Sequence, residues 1–230
     1  MTDESVEADP ATEITAVLFD MDGVIVDSER YWHEEQPEHI FPQTLEGDQP
    51  DLNETTGMNY KEIYDYLDAN YETKLSKEEF IDIFDEVARD IYRNRVELLD
   101  GFHEIRDELA DREVPVAIVT SSPPAWHDIV IERFDIEVDE IISAEHLDAD
   151  GKPEPDIYEK AAETIGHPPE RCLVIEDSQN GIESAERAGM FVVAYRTEPN
   201  SDTDLSMADV VADGPDELQA EILSRAGVDT

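Results

Sequence analysis

The chain has 230 residues, of which 16 are lysine or arginine and 60 are aspartate or glutamate, so its formal net charge is −44. A chain of this length forms one domain, or one domain that carries an insertion. A surface with this charge repels phosphate backbones and anionic headgroups, so we expect neither a nucleic acid nor a membrane as partner. No apolar run in the sequence approaches the ~18 residues that a membrane-spanning helix needs.

The N-terminal residues, MTDESVEADPATE, are acidic and polar, which is the opposite of a secretory signal. We therefore expect residues 1–12 to form a flexible acidic tail and the protein to be cytoplasmic. The single cysteine, Cys172, cannot form an internal disulfide and lies in an apolar run, as a small core residue does.

The net charge also predicts how the protein responds to salt. Self-repulsion at this charge density destabilises a compact chain unless salt screens it. The sequence therefore indicates a halophilic protein from a high-salt cytoplasm, such as that of a haloarchaeon. An acidic protein from an ordinary cell is the alternative.

Strand-like and helical patterns follow one another along the chain. The first apolar run, residues 14–19, has the length of a strand, and residues 29–99 then carry apolar side chains at helical spacing. Further strand-like runs lie at residues 114–119, 141–142, 172–175, 190–195 and 210–211. Helical stretches lie between these runs, at about residues 102–112, 124–134, 156–166 and 178–188.

This order of elements predicts an α/β fold. Continuous apolar strands that alternate with amphipathic helices indicate a parallel sheet covered on both faces. We therefore predict a doubly wound, Rossmann-like core formed by residues 13–28 and 100–230. Residues 29–99, which follow the first strand and have no convincing strand of their own, are predicted to form an inserted helical cap domain.

Polar side chains follow three of the predicted strands at the points where those strands end. In chain order they are Asp20, Asp22, Thr120, Ser121, Glu176 and Asp177. Ligands of open α/β sheets bind outside the carboxyl ends of the strands, so we expect these side chains to meet at one site. Lys152 begins the loop Gly151-Lys152-Pro153 before a predicted helix and can reach the same edge of the sheet.

The residue types at this edge suggest phosphoryl chemistry. Four carboxylates that face one another cannot all stay ionised without a counter-charge, which points to a hard divalent cation such as Mg²⁺. A lysine and hydroxyl groups beside that cation are suited to the oxygens of a phosphoryl group. In an extended Asp20-x-Asp22 segment, one carboxylate could attack phosphorus while the other transfers protons.

Four motifs resemble those of the haloacid dehalogenase superfamily, in its subgroup of phosphatases and β-phosphoglucomutases. The segment FDMDGVIVDSE at residues 19–29 resembles the first motif, and TS at residues 120–121 is similar to the second. KPEPDIY at residues 152–158 resembles the third motif and EDSQNG at residues 176–181 the fourth. The motifs occur in order, and the likeness covers roughly residues 14–215.

The resemblance implies catalytic and metal-binding roles for four carboxylates. Asp20 is the nucleophile and a Mg²⁺ ligand. Asp22 is the general acid and then the general base, and its backbone carbonyl binds the metal. Asp177 binds Mg²⁺ directly, with Glu176 beside it as a ligand or a water-mediated partner. Dehalogenases that resemble this subgroup lack the second aspartate, so Asp22 favours phosphoryl transfer over cleavage of a carbon–halogen bond.

The same resemblance implies phosphate-binding roles for Thr120, Ser121 and Lys152. In the cap, β-phosphoglucomutases carry a histidine shortly after the first motif and an arginine three residues past a glycine. Trp32 stands at the histidine's position, with His33 one residue late, and Tyr60 stands at the arginine's position. These departures favour a phosphatase over a mutase.

We therefore predict a Mg²⁺-dependent phosphomonoester hydrolase that acts through an aspartyl-phosphate. Its substrate would be a small phosphorylated metabolite, such as a sugar phosphate or phosphoglycolate, contacted in the cap by Trp32, His33 and Tyr60. A β-phosphoglucomutase-like sugar-phosphate mutase is the alternative, and a non-catalytic acidic binding protein is a more remote one. The sequence is compatible with a monomer.

Overall fold

The computed structural model describes residues 14–51, 54–55, 58–147 and 150–227. The predicted tail, residues 1–12, lies outside the described residues. The strands are β1 (Ala16–Phe19), β2 (Val116–Thr120), β3 (Glu140–Ser143), β4 (Cys172–Glu176), β5 (Phe191–Arg196) and β6 (Val210–Asp213).

These strands form one parallel sheet with the order β3-β2-β1-β4-β5-β6. The chain builds outward from β1 to β3 and then returns to the other side of β1, where β4 pairs with it. The strand order therefore reverses between β1 and β4, which is where open α/β sheets form their ligand-binding crevice. This topology confirms the predicted doubly wound, Rossmann-like α/β fold.

The chain between β1 and β2 is helical before it returns to the sheet. Its helices are α1 (Glu29–Glu35), α2 (Phe41–Thr44), α3 (Tyr60–Asn70) and α4 (Lys77–Asp90), with π-helical segments at Gln36–Ile40 and Ile91–Arg95. Capping boxes begin α3 at Asn59 and α4 at Ser76. Each of these N-cap side chains accepts from a backbone N–H of the first turn, and the glutamate three residues later accepts from the N-cap backbone N–H. The assignment of residues 29–99 to a separate cap domain, like the other domain bounds, stays a prediction.

The remaining helices flank the sheet. They are α5 (Phe102–Ala110), α6 (Pro124–Phe134), α7 (Asp156–Ile165), α8 (Gln179–Arg187) and α9 (Pro215–Arg225). The observed bounds of α5 to α8 and of the strands lie within two residues of the predicted ones. Within the described part of the chain, no helix combines the length and the apolar character needed to cross a bilayer.

The core lies on both faces of the sheet. Every residue of β1, β2 and β4 is buried, because helices cover the sheet on either side. Val17 and Phe19 pack into one cluster, whereas Leu18 and Val174 pack into the cluster on the opposite face. Cys172 is buried in this second cluster, and its burial raises the pKa of the thiol to about 11.

Candidate active site

A cavity of about 530 Å³ opens at the carboxyl ends of the central strands, within the usual size range of small-molecule sites. Its lining includes most of the residues predicted from the sequence, namely Asp20, Asp22, Trp32, His33, Tyr60, Ser121, Lys152 and Asp177. Thr120 and Glu176 do not line the cavity and are completely buried beside it. The structure therefore brings the predicted residues to one place, with two of them behind the cavity wall.

Lys152 joins two of the predicted carboxylates. Its Nζ donates to Asp20 Oδ1 at 2.5 Å and to Glu176 Oε1 at 2.6 Å, and its side chain is only 4% exposed. Burial by itself would lower the pKa of Lys152, but these carboxylates outweigh it and hold that pKa well above its usual value. The ammonium therefore stays charged beside the predicted nucleophile.

Glu176 is surrounded by hydrogen-bond donors. Its Oε1 also accepts from the hydroxyl of Tyr158 at 2.9 Å. Its Oε2 accepts from the backbone N–H of Asp177 at 3.1 Å and from both the N–H and the hydroxyl of Ser178 at 3.2 and 3.1 Å. Both oxygens are thus engaged in holding Lys152 and the turn after β4. This geometry favours a supporting role for Glu176 over direct binding of a metal.

The turn after β4 also explains Ser178 and Gly181. The Ser178 hydroxyl accepts from the N–H of Gly181 at 3.0 Å and caps α8, as a serine at this position is expected to do. A Cβ on Gly181 would lie 1.9 Å from Glu176 Oε1, far inside van der Waals contact. The helix can approach the Glu176 carboxylate this closely only because residue 181 is glycine.

We expect Gly181→Ala to lower the free energy of unfolding by about 1–3 kcal/mol, because the added methyl overpacks a site that has no room. It should also lower kcat by displacing Glu176 and, with it, Lys152. Thermal unfolding and phosphate release measure the two effects. Glu186→Ala, an exposed change in the same helix, is the control. A Gly181→Ala protein with the stability and activity of the unmodified protein would contradict the close packing of α8 against the Glu176 carboxylate.

Carboxylates crowd the floor of the cavity. Gly23 has a φ of +79°, and a Cβ there would lie 2.0 Å from Asp177 Oδ2 and 3.0 Å from Glu29 Cγ. Burial raises the pKa of Asp20 well above its usual value in spite of Lys152. Burial and the neighbouring Glu29 raise the pKa of Asp177, and burial together with Asp22 raises that of Glu29 to about 8. The cluster thus holds more negative charge than Lys152 balances.

The donor set at this floor fits Mg²⁺. This ion is usually bound through one or two carboxylates and completes its octahedral shell with waters and substrate phosphates. Asp20 and Asp177 supply two carboxylates, and the backbone carbonyl of Asp22 lies in the segment between β1 and Gly23. No group of three or more His, Cys, Asp or Glu side chains is arranged as a metal site among the described residues. The residues therefore suit an ion that shares its shell with the substrate.

Asp22 is held by three hydroxyl groups that sequence reasoning did not identify. Its Oδ1 accepts from Ser28 Oγ and from Tyr92 OH, and its Oδ2 accepts from Ser122 Oγ, each at 2.7 Å. Ser122 lies two residues past the end of β2 and could have been found by the same rule as Ser121. Tyr92 comes from the segment after α4, far along the chain, and carries no comparable signal.

The two residues of the second motif differ in position. Thr120 is buried, and its Oγ1 accepts from the N–H of Ser122 at 3.0 Å, which shapes the turn after β2. Ser121 lines the cavity, and its carbonyl accepts from Asn59 Nδ2 at 3.0 Å. Asn59, the N-cap residue of helix α3, therefore connects the helical segment between β1 and β2 to the edge of the sheet.

Aromatic rings form one wall of the cavity, which reaches the carboxylates at Tyr92. Trp32 stacks on Phe84 with ring centroids 4.8 Å apart, and Tyr60 lies 4.8 Å from Trp126. Tyr92 completes this aromatic wall, 6.2 Å from Trp126, and all five rings line the cavity. The predicted cap residues Trp32 and Tyr60 thus belong to this aromatic wall.

Comparison with known proteins assigns the chain to a family. The model of the haloacid dehalogenase-like hydrolases matches residues 17–195. The chain is 29% identical to a probable pseudouridine-5'-phosphatase of Drosophila melanogaster, over 79% of this chain and 81% of that protein. It is 27% identical to hexitol phosphatase B of Escherichia coli strain K12, over 92% of this chain and 97% of that protein. The crystal structure of CbbY from Rhodobacter sphaeroides with phosphate has a TM-score of 0.75 at 22% identity, over 89% of this chain and 96% of that one. The protein therefore belongs to the haloacid dehalogenase-like hydrolase family, as its motifs predicted.

Proposed function

We propose that the protein is a Mg²⁺-dependent phosphomonoester hydrolase that forms an aspartyl-phosphate on Asp20. The observation that carries this proposal is the contact of Asp20 with the charged ammonium of Lys152 at the floor of a substrate-sized cavity. Membership of a hydrolase family, with relatives named as phosphatases, supports a phosphatase that acts on small phosphorylated metabolites.

In the first step, the Asp20 carboxylate attacks phosphorus and the bond to the leaving oxygen breaks. Asp22 donates a proton to that oxygen, so the substrate leaves as an alcohol. Lys152 neutralises charge on the phosphoryl oxygens, and Ser121 lies where it can bind them. Mg²⁺ held by Asp20, Asp177 and the Asp22 carbonyl would supply further electrostatic stabilisation of the transferring group.

In the second step, Asp22 removes a proton from water, which attacks phosphorus and releases phosphate, restoring the Asp20 carboxylate. The hydroxyls of Ser28, Tyr92 and Ser122 orient the Asp22 carboxyl in both steps. A hydroxyl can donate or accept, so these partners can bond to the ionised and to the protonated form of Asp22. Asp22 can therefore gain and lose a proton without leaving a buried hydroxyl unpaired.

The cap side of the cavity favours hydrolysis over the mutase alternative. A mutase must bind a second phosphate and place a base on the bound sugar. Tyr60 lines the cavity where the resemblance implies a mutase's arginine, and it supplies no cation for a second phosphate. Trp32 stands at the position of the mutase's histidine and cannot act as a base, and the cavity-lining His33 stands one residue late. We also propose that residues 29–99 act as a cap over a core of residues 13–28 and 100–230, with Asn59 and Ser121 in contact across the boundary.

The test is phosphate release from a panel of small phosphate monoesters in molar KCl. We expect release with Mg²⁺, loss of release with excess chelator, and recovery when Mg²⁺ is added back. A parallel incubation with β-glucose 1-phosphate and a bisphosphate primer should form no glucose 6-phosphate. Formation of glucose 6-phosphate without net phosphate release would establish the mutase instead, and no reaction by folded protein in either assay would support the non-catalytic alternative.

A further inference from the structure

We propose that the enzyme selects phosphate monoesters whose leaving group is electrically neutral, and that it discriminates against substrates carrying a second phosphate or a carboxylate. This inference rests on the proposed phosphatase function and deepens it by naming the substrate class. It follows from the distribution of charge and of aromatic surface around the cavity.

The cavity wall carries a single lysine and no arginine. All sixteen lysines and arginines of the sequence fall within the described residues, and of these only Lys152 lines the cavity. Lys152 is already bonded to Asp20 and Glu176 at the catalytic end. His33 also lines the cavity, but burial lowers the pKa of its imidazole, so it is neutral at neutral pH. A second anionic group on a substrate would therefore meet no free counter-charge.

Two cations that adjoin or contact lining residues are bound elsewhere. Lys61 follows Tyr60 in α3, but its Nζ donates to both carboxylate oxygens of Glu145, at 2.6 and 2.7 Å. Arg133 donates to the backbone carbonyl of Tyr92 at 2.8 Å and does not line the cavity. Neither side chain is available to a bound substrate in this arrangement.

Two acidic residues outside the proposed catalytic set add to the repulsion of substrates that carry a second anionic group. Asp202 and Asp204 are exposed residues of the loop after β5, and both line the cavity. Hydrogen bonds from Ser206 lower the pKa of Asp204, which keeps this carboxylate ionised at neutral pH. Because like charges repel, a leaving group with its own carboxylate or phosphate is disfavoured both on entry and when bound.

The aromatic wall of the cavity is apolar or neutral. The indole N–H of Trp126 donates to Asp85 Oδ1 at 2.8 Å, so its polar atom is already paired and its ring contributes apolar surface. Trp32, Tyr60 and Phe84 complete that surface beside the neutral amide of Gln36. Such a wall suits the C–H face of a sugar or polyol, or another uncharged group, and offers no positive charge to an anion.

The test compares matched pairs of esters that differ by one charged group. The pairs are glucose 6-phosphate with 6-phosphogluconate, glucose 6-phosphate with glucose 1,6-bisphosphate, and glycerol 3-phosphate with 3-phosphoglycerate. With Mg²⁺, at the lowest KCl concentration that keeps the protein folded so that charge is screened least, we expect kcat/KM for the neutral member of each pair to exceed that of the charged member by about tenfold or more.

A charge-removal variant separates electrostatics from shape. The double variant Asp202→Asn/Asp204→Asn should reduce the ratio of kcat/KM for the neutral ester to kcat/KM for the charged ester several-fold, because two repulsive charges are lost. Glu104→Gln/Glu108→Gln removes the same charge from exposed positions on α5 that do not line the cavity, and it should leave the ratio unchanged.

The outcomes distinguish the two proposals. Hydrolysis of the charged members as fast as, or faster than, the neutral ones would overturn the selectivity while the phosphatase function stands. A ratio that does not respond to Asp202→Asn/Asp204→Asn would overturn the role of these two carboxylates. Absence of hydrolysis for every ester would overturn the phosphatase function, and the selectivity with it.

Discussion

Replacing Asp20 by asparagine is expected to lower kcat by at least about 1,000-fold while the protein stays folded. The amide has the shape of the carboxylate but cannot attack phosphorus, so no aspartyl-phosphate forms. The fold should persist because Lys152 keeps Glu176 as a partner at 2.6 Å, which leaves the buried ammonium with a counter-charge. The change also removes one member of a crowded group of carboxylates.

Phosphate release with Mg²⁺ measures this effect, and thermal unfolding shows whether the variant is folded. Asp82→Asn is the matched control, since Asp82 is exposed on α4 and does not line the cavity. This control should keep full activity. Near-normal turnover by a folded Asp20→Asn protein would show that another group is the nucleophile.

Raising KCl from about 10 mM to about 1 M should raise the unfolding midpoint by about 10 °C or more, because the Debye length falls from about 30 Å to about 3 Å. With 60 acidic residues and only 16 lysines and arginines, most carboxylates have no cationic partner, and their repulsion is relieved only by salt. For a chain of this size each 1 kcal/mol of stabilisation shifts the midpoint by about 2–4 °C, so several kcal/mol of screening gives the expected change.

Differential scanning calorimetry at a series of KCl concentrations measures the shift. NaCl at the same ionic strength should act similarly, whereas a neutral osmolyte at equal osmolality should reproduce little of the effect because it does not screen charge. Equal midpoints in dilute buffer and in molar KCl would contradict the halophilic character predicted from composition.

Much of the fold follows from local pattern. A parallel sheet covered on both faces needs continuous apolar strands, and residues 172–175 or 190–195 show this pattern without any tertiary information. Because strand ends of such a sheet meet at one edge, the position of Asp20, Asp22 and Asp177 directly after strands was enough to predict their convergence. The aromatic wall was anticipated only in part, through Trp32 and Tyr60.

Strand and helix periodicity and motif spacing are local properties, so they are sufficient to predict the α/β class, the order of its elements and the residues at the carboxyl ends of the strands. Tertiary packing fixes which way these side chains face and what they touch. It turned Glu176 toward Lys152, buried Thr120 beneath the turn after β2, and brought the hydroxyl of Tyr92 to Asp22. Such contacts join residues up to 132 positions apart, as Lys152 and Asp20 are, and they depend on how the helices pack over the edge of the sheet.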